Sequence, residues 1–340
     1  MSFNLADTKN LFSKITFKRA WNAIQVIASF YLSKWTKKTV HWGNPISIAI
    51  EPTTACNLGC PECPSGLKQF TRPTGNLSID FFRNTINQLA NTLGYVTFYF
   101  QGEPYINSQF LEMVNYASKK GIYTATSTNA HFLNDENAQK TIESGLDRLI
   151  ISIDGTTQET YESYRINGKL DQVIEGAKNM VKWKKKLDSS TPHIIFQFLV
   201  VQPNEHQLED VQRLAKEIGI DEVRFKTAQL YDFENGNPLM PTIDKYSRYK
   251  KLKDGSYTIK NYLLNHCWRL WNSCVITWDG LIVPCCFDKD AQHQLGDIKK
   301  SSFQEVWKGK PYQNFRSSIL RSRSEIEICK NCSEGTKVWA

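Results

Sequence analysis

Short apolar runs alternate with segments of helical periodicity from residue 46 to residue 227, and no other feature limits the fold as severely. Six runs read as strands, over 46–50, 95–101, 123–128, 149–154, 193–201 and 222–226. Several are almost unbroken apolar or β-branched residues, as a parallel sheet covered on both faces requires. The segments between them carry helix punctuation. Ser78 is placed to cap a helix reaching residue 90, Asn107 or Ser108 to open the next, Gly121 to stop it, and Asn204 to open a helix reaching residue 218. Repeated βα units give a parallel α/β fold, and six of them predict a partial (β/α)6 TIM-like barrel or an open sheet. In such folds chemistry gathers at the C-terminal ends of the strands. Cys56, Cys60 and Cys63 follow strand one, Gln101-Gly102-Glu103-Pro104 follows strand two, Ser127-Thr128-Asn129 ends strand three and Asp154-Gly155 ends strand four.

The formal charge of +8 is local: residues 1–44 hold seven Lys and Arg against Asp7 alone, so the rest of the chain is close to neutral. A nucleic-acid enzyme spreads its basic surface along a substrate channel, so no nucleic-acid partner is expected. Nine cysteines lie at 56, 60, 63, 267, 274, 285, 286, 329 and 332, with no secretory signal before them. An odd number of clustered cysteines without a signal reads as metal ligation in a reducing compartment, and the expectation is a cytoplasmic protein. The longest mostly apolar stretch, 23–32, is broken by Gln25 and is too short to span a bilayer.

Cys56-Asn57-Leu58-Gly59-Cys60-Pro61-Glu62-Cys63 sets three thiols on one short loop. A four-iron cubane normally takes four thiolates, so three leave one iron open to a chelating amine and carboxylate. The other use of such a loop is a zinc knuckle, which wants four ligands, commonly as two close pairs. No fourth Cys or His lies near in sequence; the next histidine, His131, follows two further βα units.

The C-x3-C-x2-C spacing resembles the radical S-adenosylmethionine superfamily. The resemblance implies a catalytic [4Fe–4S] cluster on Cys56, Cys60 and Cys63, reduced by an external donor such as a flavodoxin or ferredoxin. In the family that cluster cleaves S-adenosylmethionine to methionine and a 5′-deoxyadenosyl radical, which abstracts a substrate hydrogen, the cofactor supplying the reactivity. Gly102, Glu103 and Pro104 resemble the family's Gly-Gly-Glu-Pro motif, with Gln101 in place of its first glycine. Glu103 is implied as the acceptor for the cofactor's ammonium, Ser127 and Asn129 as contacts to its ribose or methionine part, Arg165 as partner of its carboxylate, and Asp154 is placed with them. The family usually has an aromatic just before the third cysteine, where this chain has Glu62.

Cys267, twelve residues, Gly280, four residues and Cys285, with Cys329 and Cys332 later, resemble the SPASM and Twitch extensions of the same superfamily. Only eight residues follow Cys332, so the shorter Twitch type with one auxiliary [4Fe–4S] cluster is the better match. Cys267, Cys285, Cys329 and Cys332 are its implied ligands, Cys274 the rival, and Cys286 reads as packing on the opposite strand face. The same four thiols suit a structural zinc. Residues 275–283 predict a hairpin with a type I′ turn at Asp279-Gly280, and Ser302 with Glu305 a capping box.

The expected organisation is a basic amphipathic N-terminal helical segment over 1–44, the core over 45–230, a linker over 231–265, and a small C-terminal β-hairpin/α Fe–S domain over 266–340. Phe17, Ala20, Trp21, Ile24, Ile27, Ala28, Tyr31 and Trp35 form one helical stripe flanked by lysines. It reads either as packing across the barrel's open edge, the favoured expectation, or as peripheral contact with an anionic membrane through residues 10–38. Only about 45 residues precede the barrel, too few for the leader-binding domain common in peptide maturases. A small-molecule or lipid-linked substrate is therefore expected over a peptide.

Overall fold

All six expected strands form, and they lie side by side in chain order. The computed structural model describes residues 5–336 and Val338, so the extreme ends of the N- and C-terminal segments lie outside the described residues. Strands β1 (Ser47–Ile50), β2 (Tyr95–Thr97), β3 (Tyr123–Thr128), β4 (Arg148–Ser152), β5 (His193–Val200) and β6 (Glu222–Thr227) pair in parallel, each with the next. Helices α1 (Leu5–Ser13) and α2 (Phe17–Thr36) precede them, and α3 (Pro64–Leu67) follows the cysteine loop. The crossovers are α4 (Ile79–Leu89), α5 (Phe110–Lys119), α6 (Asp135–Glu143), α7 (Gln158–Tyr164), α8 (Leu170–Lys186) and α9 (Leu208–Ile218). Ser78 caps α4 through a bond from the Phe81 amide, and Gly121, at φ 65°, ends α5 as expected.

Three local expectations need correction, and a fourth needs detail. Helix α5 opens after Gln109, not at Asn107 or Ser108; Asn107 holds the turn ahead of it, its Oδ1 accepting the Gln109 amide (3.0 Å) and its Nδ2 donating to the carbonyls of Pro52 (2.7 Å) and Leu77 (2.9 Å). Asn204 does open the helical run to Ile218, but its first turn, Glu205–Gln207, is 3-10 helix ahead of α9, and its side-chain amide ties the carbonyls of Asp154 and Leu199. Strand β2 stops at Thr97, well short of residue 101, although the Phe98 amide still bonds the Ala125 carbonyl at 2.8 Å. In the segment read as a linker, β7 (Tyr249–Lys251) and β8 (Tyr257–Ile259) form a hairpin whose three-residue strands are too short to show a period.

The C-terminal segment is built onto the barrel sheet. Strand β9 (Ser273–Ile276) runs parallel to β1, with Ser47 opposite Ser273 and Ile50 opposite Ile276; β10 (Leu281–Val283) and β11 (Gly296–Asp297) continue antiparallel. The nine-stranded sheet therefore runs from β11 through β1 to β6. The turn of the hairpin is not type I′. Only Gly280 takes positive φ (89°), and its amide bonds the Thr277 carbonyl at 3.0 Å, a four-residue turn with the left-handed position on the glycine. Helices α10 (Arg269–Asn272), α11 (Phe303–Trp307), α12 (Lys310–Arg321) and α13 (Glu327–Lys330) complete it. The capping box of Ser302 and Glu305 opens α11.

Helix α2 meets the rest of the protein with the face not expected. Its buried residues are Arg19, Asn22, Val26, Ser29, Phe30 and Ser33; of the apolar stripe Ile27 and Tyr31 pack, partly buried, against the core, whereas Phe17, Trp21, Ile24, Ala28 and Trp35 are exposed. Arg19 donates to the carbonyls of Ala90 (3.0 Å) and Lys120 (3.1 Å), and to Gly121, just ahead of β2 and β3. Phe30 stands edge-on to Trp268 and Trp271, at 5.3 and 5.7 Å between ring centres. The N-terminal helices thus brace the N-terminal ends of the strands and reach the C-terminal segment. No helix among the described residues is long and apolar enough to cross a membrane.

Candidate active site and C-terminal cysteine group

The loop leaving β1 is fixed at several points before any ligand is considered. The Gly59 amide donates to Ile166 O at 2.9 Å, the Cys63 amide to Cys60 O at 3.3 Å, and the Glu103 amide to Ala55 O at 2.8 Å. Gly102 is the hinge of this arrangement. A Cβ there would stand 2.3 Å from the Thr53 carbonyl oxygen, so only glycine lets the two loops meet. Cys60 is buried, Cys56 and Cys63 half-buried. Burial pushes the Cys56 thiol up to about 11, and the charges of Cys60 and Cys63 add to the rise. Burial raises Cys60 as well, opposed by Arg165, whose Nη1 lies 3.7 Å from its sulfur.

Gln101, the residue standing where the family has glycine, faces this loop. Its Oε1 accepts from Ser65 Oγ at 3.5 Å and from the Cys63 thiol at 3.8 Å, and Ser65 Oγ in turn accepts the Gly102 amide at 2.9 Å. Glu103 is 2% exposed. Its carboxylate accepts from Thr128 Oγ1 and the Asn129 amide, both at 2.8 Å. Desolvation nevertheless pushes Glu103 up to about 7, against those bonds and the more distant Arg165, and among the described residues no cation pairs with it directly. Asn129 reaches Asn57 on the cysteine loop at 2.7 Å. Ser127 is half-buried at the end of β3, beside this group. Pro104 opens a 3-10 turn that Glu103 caps.

Arg165 is drawn in by Asp154, which is fully buried and bonds Arg165 Nε through one oxygen and the Leu199 amide (2.7 Å) through the other. The paired carboxylate holds the Arg165 cation well above its ordinary value against the desolvation that lowers it. Glu62, in place of the usual aromatic, turns away to accept the Tyr231 amide at 2.9 Å. A cavity of about 490 Å³ opens beside Cys56, lined by Thr53, Ser65, Lys68, Phe70, Thr74 and Asn76 among others. Trp278 of the hairpin turn braces that wall: its indole donates to Pro73 O and its amide to Glu51, which a buried Arg72 grips with both guanidinium arms (2.5 and 2.8 Å).

At the C-terminal end, Cys267, Cys285, Cys329 and Cys332 lie near enough, together with Cys286, to act on one another's charge. Burial raises the first two and pushes Cys329 up to about 12, and each of the three is raised further by neighbouring thiols. Cys274 does not belong to this group. It lies in the core at 2% exposure, and its electrostatic neighbour is Arg316, not another cysteine. Cys286 is exposed, not packed: β10 ends at Val283, so strand alternation no longer governs it. Arg323 was not legible in the sequence. It is fully buried and donates to Cys332 Sγ at 3.2 Å and His266 O at 3.2 Å. Thr128, named only as part of the end of strand three, is the residue there whose hydroxyl bonds Glu103.

Among the described residues, no three Cys, His, Asp or Glu side chains converge as one bound ion requires. The donor set of each group is sulfur alone, the preference of iron–sulfur clusters. A buried carboxylate short of a cation, next to the three-thiol loop, suits an amino group.

Comparison with known proteins agrees with this geometry. The radical SAM superfamily profile matches residues 50–218, and SPASM, an iron–sulfur cluster-binding domain, matches residues 267–333. The tungsten-containing aldehyde ferredoxin oxidoreductase cofactor-modifying protein of Pyrococcus furiosus is 24% identical over 315 residues, which is 84% of this chain and 86% of that protein. The PqqA peptide cyclase of Bradyrhizobium diazoefficiens is 26% identical over 231 residues, 65% of this chain and 57% of the cyclase. The crystal structure of BtrN in complex with AdoMet and 2-DOIA matches with a TM-score of 0.55 at 17% identity, covering 88% of this chain and 96% of BtrN.

Proposed function

The chain belongs to the radical S-adenosylmethionine superfamily of enzymes, with an iron–sulfur extension of the SPASM type, and we propose that it abstracts hydrogen from a small or lipid-linked substrate. Bound together, a reduced [4Fe–4S] cluster and S-adenosylmethionine supply the one-electron cleavage and the 5′-deoxyadenosyl radical on which the family's reactions depend. Cys56, Cys60 and Cys63 hold that cluster. Glu103 takes the cofactor's ammonium, kept in place by Thr128 and the Asn129 amide. Arg165, oriented by Asp154, offers its free guanidinium arm to the cofactor's carboxylate, and Gly102, Pro104, Ser127 and Asn129 shape the surrounding wall. Cys267, Cys285, Cys329 and Cys332 hold an auxiliary [4Fe–4S] cluster that assists in redox or in substrate binding. The electron enters from an external donor of the flavodoxin or ferredoxin kind.

The observation that carries this reading is the three-thiol loop set against a buried, cation-deficient Glu103. A substrate of modest size is supported by the cavity of about 490 Å³ beside Cys56, whose wall mixes hydroxyls, an amide, Lys68 and Phe70. The P. furiosus relative, matched over most of its length, is named for modifying a cofactor. A peptide substrate is the second reading, favoured by the likeness to a peptide cyclase over 231 residues.

Anaerobic reconstitution with iron and sulfide, followed by reductant and S-adenosylmethionine, is expected to yield 5′-deoxyadenosine. Cys60→Ala abolishes it, and Cys332→Ala spares part of it. No product from the reconstituted wild type, or equal loss in both variants, overturns the assignment.

A further inference from the structure

A surface helix ordinarily turns its apolar stripe to the core and its polar face to water. Helix α2 does the reverse. Its inward face carries Arg19, Asn22, Ser29 and Ser33 beside Val26 and Phe30, and the polar members are bonded: Asn22 to the Asn44 carbonyl (2.9 Å) and amide (2.7 Å), Ser33 to the Val40 carbonyl (2.7 Å) and amide (2.9 Å). The outward face carries Phe17, Trp21, Ile24, Ala28 and Trp35, one stripe at helical spacing. Phe17 is 85% exposed, Trp35 75%, Ile24 56% and Trp21 55%. Phe12 and Ile15, at the end of α1 and in the turn after it, extend the patch at 63% and 48%. Since the inward bonds hold the helix in this orientation, the apolar face is left for a partner from outside the fold.

The charge around that face identifies the partner's chemistry. No acidic residue occurs between Asp7 and Glu51, while Lys9, Lys14 and Lys18 lie at one end of the stripe and Lys34, Lys37 and Lys38 at the other. Asp7 itself is turned inward onto Arg148 and Tyr123, and Lys14 is engaged by Asp147 at 3.3 Å. We propose that the outward face of α1 and α2 docks on an anionic lipid bilayer, the rings entering the boundary between headgroups and acyl chains and the lysines meeting the phosphates. A second copy of the chain fits less well, since it would bring two basic rims together. The contacts of Arg19 on the inward face set α2 against the N-terminal ends of β2 and β3, whereas the cysteine loop leaves the C-terminal end of β1. The bilayer then holds the enzyme at its surface with the reacting end of the barrel turned away.

The test uses the full chain and two kinds of vesicle, pure phosphatidylcholine and phosphatidylcholine mixed with phosphatidylglycerol. The wild type is expected to co-sediment with the anionic vesicles alone, and to be released as salt is raised. Replacing Phe17, Trp21 and Trp35 by Ser, all outward-facing, is expected to lower the bound fraction by roughly tenfold or more, with unchanged circular dichroism and melting. Lys34→Glu with Lys37→Glu and Lys38→Glu is expected to act in the same direction. Wild type that stays in the supernatant at low salt, triple variants that bind equally, or a wild-type dimer that the Ser variant converts to monomer each overturn the proposal.

Discussion

Arg165 approaches the sulfur of Cys60 to 3.7 Å while Asp154 holds the other side of its guanidinium. The Arg165 side chain is 17% exposed and that of Asp154 is fully buried, so this pair lies inside the protein wall. Breaking such a pair strands a charge, and the typical penalty is ~3 kcal/mol or more. Asp154→Asn is therefore expected to lower the unfolding free energy of the metal-free protein by about 3 kcal/mol, read by urea denaturation under reductant. Arg165→Lys keeps the charge but not the planar fork, and is expected to cost less stability than Asp154→Asn while weakening cofactor binding. Equal stability of Asp154→Asn and wild type would show that the carboxylate is not what orients Arg165.

The six core strands and the placing of the cysteine loop after β1 were legible because both follow from local pattern. An apolar run bounded by turns and a loop of three cysteines need no knowledge of distant residues. The pairing of β9 with β1 was not legible, since Ile276 finds Ile50 across most of the chain. Nor was Arg323, which meets the cysteines only through folding. Helix α2 illustrates the remaining limit. Periodicity shows which face is apolar, but inward orientation was decided by Arg19 finding the carbonyls of Ala90 and Lys120, which no periodicity reveals.

Glu103 gives a pH dependence with a definite sign. Its value of about 7 lies above the ordinary 4.5, so between those limits the folded protein holds a proton that the unfolded chain releases. Stability contributed by the neutral form is therefore lost as pH rises toward 7. Binding an ammonium needs the carboxylate. Below pH 7 S-adenosylmethionine affinity is expected to fall by about tenfold per pH unit, and above it to level off. Equilibrium dialysis of the anaerobically reconstituted protein measures this, and Glu103→Gln is expected to bind weakly at every pH. A flat wild-type profile would remove Glu103 from the ammonium site.

Gly102 offers a test of backbone geometry alone. At φ 74°, with a Cβ forced to 2.3 Å from the Thr53 carbonyl oxygen, alanine is both strained and obstructed. Gly102→Ala is expected to destabilise the protein by at least ~3 kcal/mol, seen as lost soluble yield or a large fall in melting temperature. Gly255→Ala is the control, since its φ is also positive (89°) but no atom lies within 4 Å of the added carbon. It is expected to pay for strain only, on the order of 1 kcal/mol.

Arg323 is a buried cation whose near neighbours are thiols, not carboxylates. Its Nη2 lies 3.2 Å from Cys332 Sγ and Nε has no hydrogen-bond partner; burial works against the cation, and Cys267, Cys332 and Cys329 support it only once they are ionised. Without metal, burial keeps Cys267 and Cys329 neutral, so the guanidinium is poorly compensated. If iron is bound there as proposed, those thiols would become thiolates, and the cation would then offset their charge. Arg323→Met keeps the volume and removes the charge. It is expected to cost some metal-free stability through the lost bonds to the His266 and Glu334 carbonyls, to lower iron content and to shift the auxiliary potential downward by on the order of tens of millivolts, because a positive charge favours the reduced form. Arg323→Lys is expected to restore much of the potential. The measurement is iron analysis with an EPR-monitored redox titration, in a chain carrying Cys56→Ala, Cys60→Ala and Cys63→Ala so that one signal remains. An unchanged potential in Arg323→Met would mean that the guanidinium is a structural tie to His266 and Glu334 and does not sense the cluster.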